Sequence, residues 1–336
     1  MPRKLDLRSG TPVWSVYRSP SVPVERLTRD VKADILIVGM GISGAMMAKA
    51  LTRDGHSVVC IDRRGPLKGS TAATTALVQF EIDQPLTRLS RIIGADAAQQ
   101  AWRRSRLALF NLRWRAAAIL SHDNLALDPR KLTSGLLHAA LKRKARFYAP
   151  AEATAIEANR QSVTVATRNG PTIMAKHLLL ATGYELLDAV PAVSHRVIST
   201  WAIATRPQPH KIWPRAAMIW EASNPYLYMR ATADARVICG GEDEDFIDEE
   251  RRWRKRPGPW RSVFPHTEAH FAWSGSFGAT STGLPTIGSV PGHARIHAVM
   301  GYGGNGITYS QIASEIVSAA MTGAKDADAE LFSFKA

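Results

Sequence analysis

Residues 33–64, ADILIVGMGISGAMMAKALTRDGHSVVCIDRR, constrain this chain more than any other stretch. Asp34 to Val38 is an apolar, β-branched run of strand length, and Gly39-Met40-Gly41-Ile42-Ser43-Gly44 a tight glycine turn. Ala45 to Arg53 has helical composition, Gly55 stands at a helix C-terminus, and Ser57 to Ile61 is a second buried strand ending at Asp62. Gly39 permits the turn, Gly41 lets backbone approach a pyrophosphate, and Gly44 lets the helix pack closely on the strand. The helix start offers unpaired N–H groups and a positive dipole end to phosphates. Asp62, followed by Arg63, can accept hydrogen bonds from ribose hydroxyls about twenty residues after the turn. A lone GxGxxG is a weak signal, but here strand, turn, helix, second strand and acid occur in order. The unit therefore predicts a dinucleotide site and leaves the identity of the dinucleotide open.

With 336 residues the chain can bury a large core in two domains or two interleaved lobes. No apolar run approaches the ~18 residues of a membrane span, and MPRKLDLRSG has no apolar core of a secretory signal. A cytoplasmic protein is the expectation. Two cysteines, Cys60 and Cys239, make neither a disulfide framework nor a metal site. The formal charge is +14, yet the excess is local. Residues 101–146 hold eleven basic and two acidic residues, and 251–261 hold six basic and none acidic. No nucleic-acid-binding motif accompanies them, so solvated basic faces are expected rather than a nucleic-acid partner.

Along the chain, residues 1–32 form an arm whose Trp14 and Tyr17 are expected to pack on the body. Gly65 to Ala76, rich in small and hydroxylic residues, follows the ribose-binding acid as a loop suited to phosphates. Leu86 to Leu120 reads as two helices, and Asp128-Pro129 caps another over 131–144. Arg146 to Tyr148 and Ala153 to Ile156 alternate like strands. Ser162 to Thr167, Asn169-Gly170 and Thr172 to Ala175 read as a hairpin, with Lys176 to Gly183 a separate buried strand ending in a Thr-Gly turn. Four antiparallel strands are expected over 197–205, 217–221, 226–231 and 235–240, and an exposed, disordered basic loop over 242–262. Gly283 to Gly288 reads as a turn, and Ile296 to Met300 as a buried strand. Gly301-Tyr302-Gly303-Gly304-Asn305-Gly306 then opens a helix that stops at Gly323. A second strand–glycine turn–helix unit thus closes the chain.

Together these pieces resemble the FAD-dependent oxidoreductases of the D-amino-acid oxidase, glycine oxidase and sarcosine oxidase superfamily, with closest likeness to gamma-glutamylputrescine oxidase-like members. The resemblance is carried by 34–62, by Gly69-Ser70-Thr71-Ala72-Ala73 with Leu77-Val78-Gln79, by Ala181-Thr182-Gly183, and by Phe277-Gly278 through Gly306. It implies an α/β fold in which a Rossmann-like FAD-binding domain (33–120, 128–190 and 281–330) interleaves with a reduced, mainly antiparallel β substrate lobe (191–280). It implies non-covalent FAD with its ADP half on Gly39, Gly41, Ile42, Ser43, Gly44, Asp62 and Arg63. Ser70 and Thr71 would lie near pyrophosphate or flavin, Ala153 and Thr154 at adenine, and Thr182 and Gly183 along the ribityl or pyrophosphate. Gly303, Gly304, Asn305, Gly306, Ile307 and Thr308 would lie at the flavin pyrimidine edge. Oriented N–H groups there would stabilise the negative charge of reduced flavin.

The implied reaction is oxidation of a C–N bond in a small amine or amino acid by hydride transfer to flavin N5. The imine is then hydrolysed, and dioxygen or another acceptor reoxidises the flavin. The alternatives are a flavin-binding protein without turnover, its substrate lobe shortened near 114–118, and an NAD(P)-dependent dehydrogenase using the same first turn. Thr308 stands where sarcosine-oxidase-like relatives carry a substrate-binding lysine, which points away from a simple carboxylate. Candidate catalytic residues are Tyr302, Thr308 and Tyr309. His177, His270 and His297, with Trp201 and Trp220, are expected to be structural.

Overall fold

The computed structural model describes residues 8–113, 119–121, 124–168, 170–185, 190, 195–221, 226–245 and 268–334. In chain order they form β1 (Arg8–Gly10), β2 (Val31–Val38), α1 (Ile42–Arg53), β3 (Val58–Ile61), β4 (Leu77–Val78), α2 (Leu86–Ile93), α3 (Ala95–Arg113), β5 (Ile119–Ser121) and β6 (Asn124–Ala126). There follow α4 (Pro129–Leu141), β7 (Arg146–Tyr148), β8 (Ala153–Ala158), β9 (Val163–Thr167), β10 (Thr172–Leu180), β11 (His195–Ala204), β12 (Ile219–Trp220) and β13 (Leu227–Ala231). The last are β14 (Val237–Glu244), β15 (Phe271–Thr280), β16 (Thr286–Val290), β17 (His293–Met300) and α5 (Gly306–Met321).

The fold is mixed α/β. One sheet runs β16-β17-β10-β2-β3-β7, with β2, β3, β7, β10 and β17 parallel. Its central strands are apolar on both faces, as parallel strands covered on both sides must be. Side chains alternate along β2. Ile35 and Ile37 join Cys60 beneath α1, α4 and α5, whereas Leu36 joins Val59, Ile61, Leu178 and Leu180 against β8 and β9. Asp128 caps α4 by accepting from the Arg130 and Lys131 amides at 2.9 and 3.1 Å, as Asp-Pro predicts.

A second sheet is antiparallel, in the order β1-β15-β11-β14-β13-β12, and a small third one pairs β4, β6 and β5. The two glycine turns, after β2 and after β17, lie at the C-terminal ends of neighbouring parallel strands separated only by β10. This placement brings distant parts of the chain to one edge of the sheet.

Several boundaries differ from expectation. Helix α1 begins at Ile42, three residues before the Ala45 start that composition suggests, because the end of the turn, Ile42 to Gly44, is already helical and the Ala45 amide donates to the Gly41 carbonyl at 2.9 Å. The expected strands 172–175 and 176–180 are one, β10, whose first half pairs with β9 and second half with β17. Strand β15 is absent from the sequence reading: FAWSGSFGAT has little β propensity, and it is held by pairing with β1 and β11 on its two edges. Thr286 to Gly288, expected as a turn, opens β16. Glu242 to Glu244 belong to β14, and 246–262 of the expected basic loop lie outside the described residues, as do 114–118.

The N-terminal arm is woven into both sheets. β1 pairs with β15, while Val31 and Lys32 begin β2. Trp14 is 2% exposed, its Nε1 donates to the Thr74 carbonyl at 2.6 Å, and the Arg230 guanidinium lies 5.3 Å from its ring.

Candidate functional site: a cleft between two glycine turns

At the first turn the backbone is closed by groups from two other segments, the end of β3 and the loop at Thr71. The Gly39 amide donates to Ile61 O (2.8 Å), the Met40 amide to Asp62 Oδ2 (2.8 Å), and the Ile42 amide to Thr71 Oγ1 (2.9 Å). Gly39 has φ +115°, and a Cβ there would overlap the Ala181 carbonyl. No side chain caps α1 at Gly41, so apart from the Ile42 amide held by Thr71 its first turn is open toward the cleft, where a Cβ on Gly41 would have only Thr71 Oγ1 within reach, at 3.1 Å. Open first-turn amides with a dipole behind them suit an anionic group.

Asp62 is tied more tightly than its expected ribose-binding role requires. Its carboxylate also accepts from the Arg64 and Gly65 amides at 2.7 and 2.9 Å. Burial nonetheless raises its pKa, outweighing the hydrogen bonds that favour the charge. Beyond it, Glu185 is buried between two arginines. Arg64 donates to both its oxygens at 2.6 Å, and Arg63 pairs with it as well.

The second turn is a short 3-10 segment, Gly303–Asn305, running into α5. Here Asp83, from the segment between β4 and α2, accepts from the Gly304 amide at 2.7 Å and from Asn305 Nδ2 at 3.0 Å. Its side chain reaches the cleft, yet crowding by surrounding protein pushes its pKa up to about 6, with Asp243 adding a smaller repulsion. Ser43 and Ser310 hydroxyls, 2.7 Å apart, join α1 to α5 between the two turns.

Both turns line one continuous cleft with about 1850 Å³ of empty space counted to its open mouth. Of the residues expected at the cofactor, all line it except Gly44, Thr154 and Thr308. Gly44 packs beneath Gly39, and Thr154 bonds across to Ala166 O at 3.2 Å. Of the catalytic candidates only Tyr302 lines the cleft. Thr308 is buried and donates to Gln79 O at 3.0 Å, and Tyr309 is buried with its hydroxyl on Gly283 O at 3.0 Å, so both clasp α5 to neighbouring loops. Residues one and two positions past Ile307 turn into the helix–loop interface, which a linear reading of the turn does not show.

Opposite the turns, β11, β13 and β15 contribute Trp201, Tyr228, Trp273 and Phe277, with Trp220 and Tyr226 beside them. The two tryptophans expected to be structural thus face the cleft, Trp201 mostly buried and Trp220 43% exposed. Asp83, Glu185, Tyr226 and Tyr228 escaped the sequence reading. Only the i, i+2 spacing of the two tyrosines hinted at a shared face. His177 and His297 are structural: their rings lie 5.5 Å apart away from the cleft. Among the described residues no group of three His, Cys, Asp or Glu could hold a metal, and no helix is long and apolar enough to cross a membrane.

The cleft fits an extended dinucleotide: an uncapped helix start at the first turn, glycine backbone at both turns with the Gly304 amide already held by Asp83, and polar groups at the far end around Asp62. Comparison with known proteins agrees. The family model described as FAD dependent oxidoreductase (DAO) matches residues 34–109 and 84–320. The fold is similar to glycine oxidase from Geobacillus kaustophilus (TM-score 0.71, 17% identity, 91% of this chain and 99% of that one). It is also similar to L-proline dehydrogenase from P. horikoshii (0.71, 16%, 90% and 97%) and to iminodiacetate oxidase from Chelativorans sp. BNC1 (0.63, 19%, 89% and 98%). In sequence, 80 residues are 38% identical to the protein provisionally named Rieske 2Fe-2S iron-sulfur protein YhfW of Bacillus subtilis (strain 168). That stretch is 24% of this chain and spans 15% of the length of that relative.

Proposed function

Since this chain belongs to the DAO family of FAD-dependent oxidoreductases, we propose that it oxidises a C–N bond of a small amine or amino acid, with FAD held non-covalently along the cleft. The observation that carries this reading is the single cleft joining the turn after β2 to the turn before α5. FAD, when bound, supplies the two-electron acceptor, and dioxygen or another acceptor would restore it.

The chain's own residues supply binding and electrostatics. The first-turn amides of α1, with Ser70 and Thr71, would hold the pyrophosphate. Asp62, already oriented by three amides, would meet the ribose, and the backbone at Ala153 the adenine. Thr182 and Gly183 would flank the middle of the molecule. Gly303 to Ile307 would present the start of α5 to the flavin's pyrimidine edge, where N–H groups other than the Gly304 amide, which Asp83 holds, would stabilise negative charge that develops on reduction. Trp201, Trp273 and Phe277 narrow the substrate side and exclude water. Non-covalent attachment is supported by the position of both cysteines, each buried in a strand and neither lining the cleft. The narrower likeness to gamma-glutamylputrescine oxidase-like members rests on the motifs and belongs to this proposal.

The test is direct. Purified protein is expected to carry flavin that is released unchanged on denaturation, and an anaerobic panel of amines and amino acids is expected to bleach it. Protein that neither retains nor takes up FAD would refute the reading.

A further inference from the structure

Charged residues from three chain segments meet at the Asp62 end of the cleft. Arg63 and Arg64 follow the tip of β3, Glu152 precedes β8, and Glu185 follows the Thr182-Gly183 turn at the end of β10. In the parallel sheet β10 and β3 are not neighbours: β2, with the first glycine turn at its end, lies between them. At about 4.8 Å per strand, the segments that leave β10 and β3 start about 10 Å apart. Long side chains bridge that gap. Arg64 donates to both Glu185 oxygens at 2.6 Å, and Arg63 pairs with the same carboxylate. Arg63 also lies 3.6 Å from Glu152, to which Arg168 Nε donates at 2.7 Å. Arg63, Arg64, Glu152 and Glu185 all line the cleft, yet the Glu185 side chain is only 7% exposed.

A forked, two-bond arginine–carboxylate pair fixes direction as well as distance. Parting a buried one leaves charge uncompensated in protein surroundings, which is strongly unfavourable. The segments tied here are the ones that the reading above sets round the adenosine half: the ribose acid Asp62, the backbone at Ala153, and Thr182 with Gly183. The charge of both arginines is engaged by Glu185, so this end of the cleft grips by joining its walls.

We propose that the Arg63–Glu185–Arg64 bridge is a clasp over the adenosine half of the cleft. A dinucleotide seated there leaves only when the bridge parts, so it is a resident group that exchanges slowly. Glu185 is the positioning residue at its centre, holding the segment after β10 against the tip of β3. The identity of the seated group rests on the reading above; the clasp is a property of the chain's own residues.

Two measurements test this. In the first, FAD released from the loaded protein is followed over time by rapid gel filtration. Glu185→Gln is expected to release it at least tenfold faster than the parent. Arg64→Lys, which keeps the charge and loses the fork, is expected to release it at least threefold faster. Val163→Ala makes a cavity in the buried part of β9, away from the cleft lining, and is expected to stay within twofold of the parent. Release from Glu185→Gln that is unchanged, or slower because the freed arginines draw onto the phosphates, overturns the clasp. Equal acceleration by Val163→Ala overturns it too, since general loosening would then account for the loss. If Glu185→Gln does not fold, Arg64→Lys decides. In the second, hydrogen exchange is compared in the FAD-free proteins. Amides of 62–65 and 182–185 are expected to exchange at least tenfold faster in Glu185→Gln, with the body of β10 unchanged. Exchange equal to the parent's overturns the clasp. If the parent takes up no FAD, the functional reading fails, and the exchange measurement still decides the clasp.

Discussion

Gly44 lies directly beneath Gly39: a Cβ at position 44 would overlap the Gly39 carbonyl oxygen, with the Ile37 side chain 3.5 Å away. Gly39 in turn presses on the Ala181 carbonyl at the end of β10. Three backbone segments, the end of β2, the first turn of α1 and the end of β10, therefore meet with no side chain between them. This contact aims the open start of α1 into the cleft. It also gives position 44 a steric reason to be glycine without lining the cleft itself.

Substituting Gly44→Ala forces a methyl group into backbone that cannot retreat. Overpacking of this kind costs about 1–3 kcal/mol, and α1 must tilt to relieve it. The variant is expected to show a lower urea midpoint and flavin content well below that of the parent. Unchanged stability and flavin content together would show that the contact is not what orients the helix.

Asp62 closes the turn as well as facing the cleft. Asp62→Ala leaves the Met40, Arg64 and Gly65 amides without their acceptor, and a buried unsatisfied donor costs about 1–3 kcal/mol. Water reaching the cleft will recover part of this, so a loss of at least about 2 kcal/mol is expected from equilibrium unfolding. If only FAD affinity falls and stability does not, the residue is a ligand alone.

The N-terminal arm is expected to be part of the folding unit. Trp14→Ala removes a buried ring, its hydrogen bond to Thr74 and its contact with Arg230, for about 3–5 kcal/mol. Trp14→Phe keeps most of the packing and loses the hydrogen bond, about 1 kcal/mol. Thermal unfolding of both variants would check the order. Equal melting temperatures for Trp14→Ala and the parent would contradict the burial.

Acid sensitivity should come in part from His297. Burial first, and the neighbouring His177 second, lower its pKa from 6.5 to about 4. The folded protein therefore binds this proton less readily than the unfolded chain does. Its contribution is fully present above pH 6.5 and is lost as pH falls from 6.5 toward 4, up to about 3 kcal/mol at 1.36 kcal/mol per pKa unit. His297→Leu is expected to flatten the urea midpoint across that window. A variant whose midpoint falls as steeply as the parent's would exonerate the pair.

Much of the first half of the site was legible from local chemistry. The strand, glycine turn, helix and acid of 34–62 each follow from a residue property that acts over a few positions: β-branching, positive φ, close backbone approach, a carboxylate at a strand tip. The closing turn was legible for the same reason. Strand β15 was not, because serine and glycine form a strand only when both edges find partners far away in sequence. Tyr309 and Thr308 misled for the opposite reason. Their spacing after the glycine turn suggested access to the cleft, and the rotation of α5 turns them onto Gly283 and Gln79.

The linear chain thus showed two strand–glycine turn–helix units, the first with the spacing of a dinucleotide turn, since short-range backbone requirements leave few other uses for those glycines. Tertiary structure alone decided what stands across from the turns. Asp83 reaches Gly304 over 221 residues, and Trp220, Tyr226 and Tyr228 arrive from another sheet. The charge and shape of the substrate side are sums over segments that only folding brings together, and no local pattern encodes such a sum.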